Sequence, residues 1–333
     1  MKKGELALKL RADGKTNAEI AAFLNMKQSS VRRLISETKR PEPLYGTREP
    51  EVSTGFKTSK LNFQVAKCEV HGMTWYNAGK CDKCESKKPT HLIIPDTQCK
   101  PGVPLDHLFW AGKYIADKKP DVVVHLGDHW DLASLSSYEG RGSRYFEGKR
   151  LKEDIEAGNR GLDLLMKGMG DFRPKRMVML RGNHEDRLTR AINESPILLE
   201  GLVGFEDFND VAHGWEVIDY LKPIEIDGLA FAHYFYNPNT GRSYSGNVDT
   251  MLRNVGHSFV MGHQQGLRVG RRELASGHVQ RGLVAGSFYQ HSENYRGPQA
   301  AYEWRGILVL HEVGGGGYDL MEVSLDFLRR TYS

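Results

Sequence analysis

The 333-residue chain is long enough for one large domain with small modules attached, and its 39% hydrophobic and 26% charged residues are ordinary for a soluble globular protein. No apolar run approaches the length of a membrane span, and the opening MKKGELALKL lacks the apolar core of a signal peptide, which points to the cytoplasm and away from a membrane partner. The net charge of +4 is unevenly placed: residues 1–90 carry 18 Lys and Arg against 10 Asp and Glu, and the remainder 28 against 32. A basic front end on an acidic body suits a polyanionic partner, although solvated surface charge gives the same bias.

Residues 1–40 read as a helix-turn-helix. Gly4–Arg11 forms a short helix with Leu6, Leu8 and Leu10, and Asp13-Gly14 is a turn. Thr16 is placed to cap a second helix, Asn17–Leu24, whose Ile20, Ala21 and Leu24 share a face. After the Asn25-Met26-Lys27 turn, Ser29 or Ser30 caps a third helix holding Val31, Leu34 and Ile35. Gln28, Ser29, Ser30, Arg32 and Arg33 fall at its start, where a recognition helix meets bases and phosphates. The pattern T-x-x-E-I-A-x-x-L followed by S-x-R-R-x-I resembles the helix-turn-helix of resolvases and of many phage and bacterial regulators. A helical adaptor that binds protein is the competing reading.

Residues 41–60 hold Pro41, Pro43 and Pro50 among charges without periodicity, as a linker does. Residues 61–90 contain Cys68-x-x-His71 and, nine residues on, Cys81-x-x-Cys84. Each knuckle presents two ligands to one tetrahedral ion, so the spacing predicts a ribbon-like module around structural Zn²⁺. Gly72 and Gly79 allow its tight turns, and Trp75 and Tyr76 can cover its small core. The fourth cysteine, Cys99, has no partner left among them.

From His91 onward, short apolar runs alternate with helices, the grammar of an α/β domain over residues 91–333. His91–Pro95 ends at Asp96-Thr97-Gln98, and a helix spans Leu105–Asp117. Asp121–Leu126 ends at Gly127-Asp128-His129-Trp130-Asp131, and a long helix runs over 151–168. Met177–Leu180 stops at Arg181-Gly182-Asn183-His184-Glu185, followed by a helix from about Asp186 to Ile192. Leu229–Ala232 ends at His233, and Ser258–Met261 ends at Gly262-His263-Gln264-Gln265. Gly282–Ala285 and Ile307–Glu312 close the domain, with Gly314–Gly317 turning a last hairpin. Five apolar runs therefore end in residues able to ligate a metal, and parallel strands deliver such residues to one site at their carboxyl ends.

The series D-x-Q, G-D-x-x-D, G-N-H-E, lone H and G-H-x-Q resembles the calcineurin-like metallophosphoesterases, whose signature is D-x-H, G-D-x-x-D, G-N-H-[DE], H and G-H-x-H. The resemblance runs from about residue 91 to the C-terminus. It implies an αββα sandwich of two sheets, with two metal ions at the strand ends. Asp128 would bridge the ions; Asp96, Gln98 and Gln265 would hold one, and Asn183, His233 and His263 the other. His184 would be general acid or donor to the substrate, steadied by Asp131, and Arg181 would contact a phosphate oxygen. The implied chemistry is in-line attack on phosphorus by a water deprotonated between the two ions. The sequence departs from the signature at Gln98 and Gln265, both on the same ion. Amide oxygens in place of imidazoles make that position harder and weaker, favouring Mn²⁺ or Mg²⁺.

Between Asp131 and the next helix lies LASLSSYEGRGSRYFEGKR, which interleaves Tyr138, Tyr145 and Phe146 with Arg141, Arg144, Lys149 and Arg150. That mixture suits stacking of unpaired bases and neutralisation of phosphates, and equally an ordinary active-site lid. Gly266–Arg281 and Ser287–Arg296 are similar stretches. With the N-terminal modules, these features favour a DNA nuclease resembling the SbcD-like branch of the family, on a modular plan resembling phage-encoded enzymes that work in a host cytoplasm. A protein or nucleotide phosphatase is the alternative, since LRGNHE is also written so in Ser/Thr protein phosphatases. Those enzymes carry Arg-Gly after G-D-x-x-D, where this chain has Leu132-Ala133. A DNA-binding regulator with an inactive hydrolase body is the third reading.

Overall fold

The structure, a computed structural model, describes residues 3–38, 65–67, 74–76, 88–137, 144–292 and 303–333. The expected linker at 41–60, the zinc ligands Cys68, His71, Cys81 and Cys84, and Arg141 lie outside the described residues, as do the side chains of Arg32 and Arg33. The chain divides into two compact units, Met1–Val65 and Ala66–Ser333.

The first unit holds α1 (Lys3–Ala12), α2 (Asn17–Phe23) and α3 (Gln28–Thr38). Ala7, Ile20, Ala21, Leu24 and Val31 are its buried core, with Leu6, Leu10, Met26, Leu34 and Ile35 packed against them. Thr16 caps α2 as expected: its Oγ1 accepts from the Glu19 amide at 3.3 Å, while Glu19 Oε2 accepts from the Thr16 amide at 2.8 Å. Asn25, at φ 50°, makes the left-handed turn into α3. That helix begins at Gln28, one residue ahead of the expected serine cap, so Ser29 and Ser30 lie inside its first turn.

The second unit is built on two sheets among the described residues, besides a short pair of β1 (Val65–Lys67) and β2 (Thr74–Tyr76). The larger sheet contains β3 (His91–Ile94), β4 (Val122–His125), β5 (Arg176–Leu180), β6 (Glu216–Ile218), β12 (Gly306–Gly314) and β13 (Gly317–Ser324), in the order β13-β12-β3-β4-β5-β6. The other contains β7 (Ile224–Ile226), β8 (Leu229–Ala232), β9 (Phe259–Met261), β10 (Leu267–Glu273) and β11 (Val279–Ala285), in the order β10-β11-β9-β8-β7. β3 to β6 are mutually parallel, as are β8, β9 and β11.

Alternation along the strands separates three cores. Ile93, Val124, Val178 and Leu180 face Leu229, Phe231, Val260 and Leu283 between the sheets. Leu92, Val123, Met177 and Met179 point the other way, onto α4 (Asp106–Lys118), α5 (Leu151–Met169) and the C-terminal α9 (Leu325–Tyr332). Ala232, Phe259, Met261 and Val284 pack on α8 (Val248–Val255). Helices thus cover the outer faces of both sheets, an αββα layering. After β5 come α6 (Asp186–Glu194) and the one-turn α7 (Pro196–Leu199). Among the described residues no helix is long and apolar enough to cross a membrane.

Candidate active site

The carboxyl ends of β3, β4 and β5 in one sheet, and of β8 and β9 in the other, bring the polar motifs together. Much of the turn backbone is unusual for side-chain-bearing residues: Gln98, Asp128, His263 and Gln265 all have positive φ, between 41° and 66°. Strain of this kind persists only where the surroundings over-determine it, and it concentrates at functional sites. Two glycines make the close approach possible. A Cβ on Gly182 would lie 2.1 Å from Asp128 Oδ1, and one on Gly262 2.5 Å from Asp96 Oδ1.

Four residues converge in a cluster whose spacing could accommodate one cation. Asn183 Oδ1 lies 2.9 Å from His233 Nε2 and 2.8 Å from His263 Nδ1, and Asp128 Oδ2 lies 3.3 Å from His233 Nε2. Donors bound at about 2.1 Å to one ion sit roughly 3 Å apart, so the spacing fits. His233 Nδ1 donates to the Leu126 carbonyl at 2.8 Å, which turns Nε2 into the cluster. There it faces the acceptor oxygens of Asn183 and Asp128. Burial works against a charged His233, but the Asp128 carboxylate outweighs it and raises the ring to about 9. The field that keeps a proton at this point also suits a cation. Asp128, His233 and His263 present ligand atoms within 4.8 Å of one another.

Beside this cluster lie Asp96, Gln98 and Gln265, all buried. Burial pushes the Asp96 carboxyl up to about 7, with the Asp128 charge adding to the effect. Asp96 Oδ1 accepts from the His263 amide at 3.0 Å, while its buried Oδ2 has no hydrogen-bond partner. A buried carboxylate oxygen without a donor is costly, and a hard cation would answer it. Gln265 Oε1 accepts from the Tyr289 hydroxyl at 2.9 Å. These oxygen donors fit a second divalent ion of the Mg²⁺ or Mn²⁺ type.

His184 stands at the edge of the cluster. Its amide donates to Asp128 Oδ1 at 2.9 Å, and its Nδ1 donates to Asp131 Oδ1 at 2.7 Å. Burial opposes charge on the ring, but Asp128 and the Asp131 hydrogen bond outweigh it and raise its pKa. The same contact holds Asp131 at about 2 despite its burial. Arg187 Nη2 lies 3.0 Å from His184 Nε2, while its Nη1 donates to the Asp131 carbonyl at 2.7 Å.

Arg181 does not face the site as expected. Its side chain is 5% exposed and ion-paired to Asp210 at 2.5 Å, with the guanidinium 4.9 Å from the Phe205 ring centre and 5.0 Å from that of Phe208. It is a buried structural pair, because the interior carboxylate on the chain leading to β6 reaches it first. Arg144 is exposed in a 3-10 turn, Arg144–Phe146. The Gly266–Arg281 stretch is the β10–β11 hairpin, with Arg268 donating to the Gly246 carbonyl and Arg281 lying over the Tyr318 ring.

Glu185, the last residue of the G-N-H-E motif, has a role that its sequence position hides. Its buried carboxylate accepts from the amides of Asp128, His129 and Trp130 at 3.0, 2.6 and 3.0 Å, and from that of Gly182 at 2.8 Å. One side chain thereby fastens the turn after β4 to the turn after β5. Arg187 is a second residue that sequence reasoning missed; its place three residues after His184 was the available signal.

No curated protein matches the sequence. The family model for calcineurin-like phosphoesterase matches residues 92–304, a span that contains every one of these strand-end motifs. The match covers well over half of the chain, and together with two sheets whose carboxyl ends gather three buried aspartates, an asparagine and three histidines, it places the chain in the calcineurin-like phosphoesterase family.

Proposed function

We propose that this phosphoesterase is a nuclease, hydrolysing DNA phosphodiester bonds with two divalent ions. Asn183, His233 and His263 would hold one ion and Asp96, Gln98 and Gln265 the other, with Asp128 a ligand common to both. The ions, when bound, supply Lewis-acid stabilisation of charge on the phosphoryl oxygens and a water acidified toward neutral pH. The chain's residues do the rest. Asp131 fixes His184 with Nδ1 as donor, so Nε2 is the atom that delivers a proton to the leaving oxygen. Arg187, a permanent donor 3.0 Å from that nitrogen, can point a hydrogen at it only while the ring is neutral, so His184 takes up its proton from solvent as the leaving oxygen displaces Arg187. Mn²⁺ or Mg²⁺ suits the glutamine-bearing position.

The observation that favours DNA is the separate three-helix unit, whose capped α2 leads through a left-handed turn into α3 with Gln28, Ser29 and Ser30 at its first turn. Together with Arg32 and Arg33, that segment is proposed to hold DNA, with Arg141 and Arg144 as further phosphate contacts. Cys68, His71, Cys81 and Cys84 are proposed to bind one structural Zn²⁺. Offering the Mn²⁺-loaded protein single-stranded DNA, duplex DNA and p-nitrophenyl mono- and diesters tests the reading. Cleavage of DNA and of the diester is expected; turnover of the monoester alone would make the protein a phosphatase instead.

A further inference from the structure

Next to the ligand cluster is a cleft of about 400 Å³. Asn183 and His263 form one side, and Arg190, Tyr220 and Tyr234 are among the residues lining the rest. Whatever fills the cleft therefore lies against two of the residues proposed to hold a cation.

Arg190 is held at the rim without being buried. Its Nε is 3.2 Å from Asp186 Oδ2 and its Nη2 donates to the Asn183 carbonyl at 3.1 Å, while its side chain remains 49% exposed. These contacts fix the guanidinium beside the cluster and offset the negative charge of Asp186, the acid lining the same cleft. A fixed guanidinium fork is the side-chain shape best suited to a phosphate group.

Tyr220 and Tyr234 supply the other donor. Their hydroxyl oxygens are 2.5 Å apart, and the Tyr234 ring packs on His263 with centroids 4.6 Å apart. One hydroxyl proton of the pair lies between the two oxygens. The second is left to an acceptor from the cleft, since nothing else among the described residues takes it.

We infer that this cleft is a subsite for the nucleotide flanking the scissile phosphate of an unpaired DNA strand, with Arg190 on that nucleotide's own phosphate and the Tyr220–Tyr234 pair donating to its phosphate or sugar oxygens. The inference rests on the DNA-cleavage reading above and narrows it. Small-ligand pockets span about 300–1,000 Å³, and a cleft of about 400 Å³ has room for a single nucleotide. A single nucleotide is offered most readily by a strand whose bases are unpaired. Because Arg190 sits at the rim and touches none of the reacting atoms, its contribution falls on substrate binding more than on the chemical step.

The test is steady-state kinetics with Mn²⁺ on two substrates: a short single-stranded oligodeoxynucleotide, and bis-p-nitrophenyl phosphate, which carries no flanking phosphate. Arg190→Ala, and separately Tyr220→Phe with Tyr234→Phe, should lower kcat/KM on the oligonucleotide about tenfold more than on the small diester, chiefly through KM. The tyrosine substitutions keep both rings and their packing, so the fold is retained. Equal losses on both substrates, or no loss on either, overturn the subsite while leaving the DNA reading in place. Wild-type protein that turns over the small diester and leaves the oligonucleotide intact overturns the DNA reading, and the subsite with it.

Discussion

At the scale of single residues, the group proposed to deliver a proton and the residues proposed to hold the cations are separate sets that touch. His184 contacts Asp131, Arg187 and, more distantly, Asp128, whose Oδ2 lies 3.7 Å from its Nε2. His184→Ala should therefore cost about 10²–10⁴-fold in kcat with little change in bound metal, measured by kinetics beside elemental analysis. Parallel loss of metal would make His184 a ligand and not a donor. The strand-end residues were legible in the sequence because apolar runs stopping at Asp, Asn or His have few other uses. Glu185 and Arg187 were not, because their partners are backbone groups and a ring brought near only by folding. Arg181 was misread for the same reason: its partner Asp210 is 29 positions away, on a stretch with no motif of its own.

At the scale of elements, strands covered on both faces were the most legible. HLII, VVVH and RMVML are near-continuous apolar runs because one set of side chains meets helices and the other meets the opposite sheet. β6 and β7 were missed since three residues, partly exposed, show no period. β10 lies within Gly266–Arg281, whose sequence resembles the arginine-bearing insertion, because its polar residues alternate along an edge strand. The helices α8 and α9 had readable signals in their capping residues Asn247 and Ser324, whose side chains accept from the amides of Asp249 and Phe327.

Helix α4 carries a consequence for acid stability. His107 is fully buried and its Nε2 lacks a hydrogen-bond partner. Burial, with the charges of His291 and His129 adding to it, lowers its pKa from an ordinary 6.5 to about 3. The unfolded chain therefore takes up a proton that the folded chain refuses. Stability is complete above pH 6.5 and falls as the pH drops through the window down to about 3. Each such proton contributes about 1.4 kcal/mol per pH unit. Denaturant unfolding at pH 7 and pH 5 should show His107→Leu losing less stability on acidification than the wild type by about that slope. An unchanged pH dependence would mean that the ring is protonated in the fold.

At the scale of the whole molecule, the chain joins a phosphoesterase body to a compact helical unit in a front end whose charge is opposite in sign to that of the body. The body's architecture was legible from alternating helices and strands, and its site from five motifs in a fixed order. Their meeting point follows from the parallel course of β3 to β5 and of β8 and β9. The cleft beside the cluster was not legible, because Arg190 comes from α6 and Tyr220 and Tyr234 from the segments after β6 and β8, with no shared spacing.

The central claim is that these strand ends form one cation site on which hydrolysis depends, and Asp128 is its shared member. Bound-metal content and hydrolysis of bis-p-nitrophenyl phosphate, measured together for wild type and Asp128→Ala after the same Mn²⁺ loading, test it most directly. The account predicts that the variant loses both the loaded Mn²⁺ and the hydrolysis while remaining folded. A folded variant that still binds Mn²⁺ as the wild type does, or still cleaves the diester at a comparable rate, would contradict it.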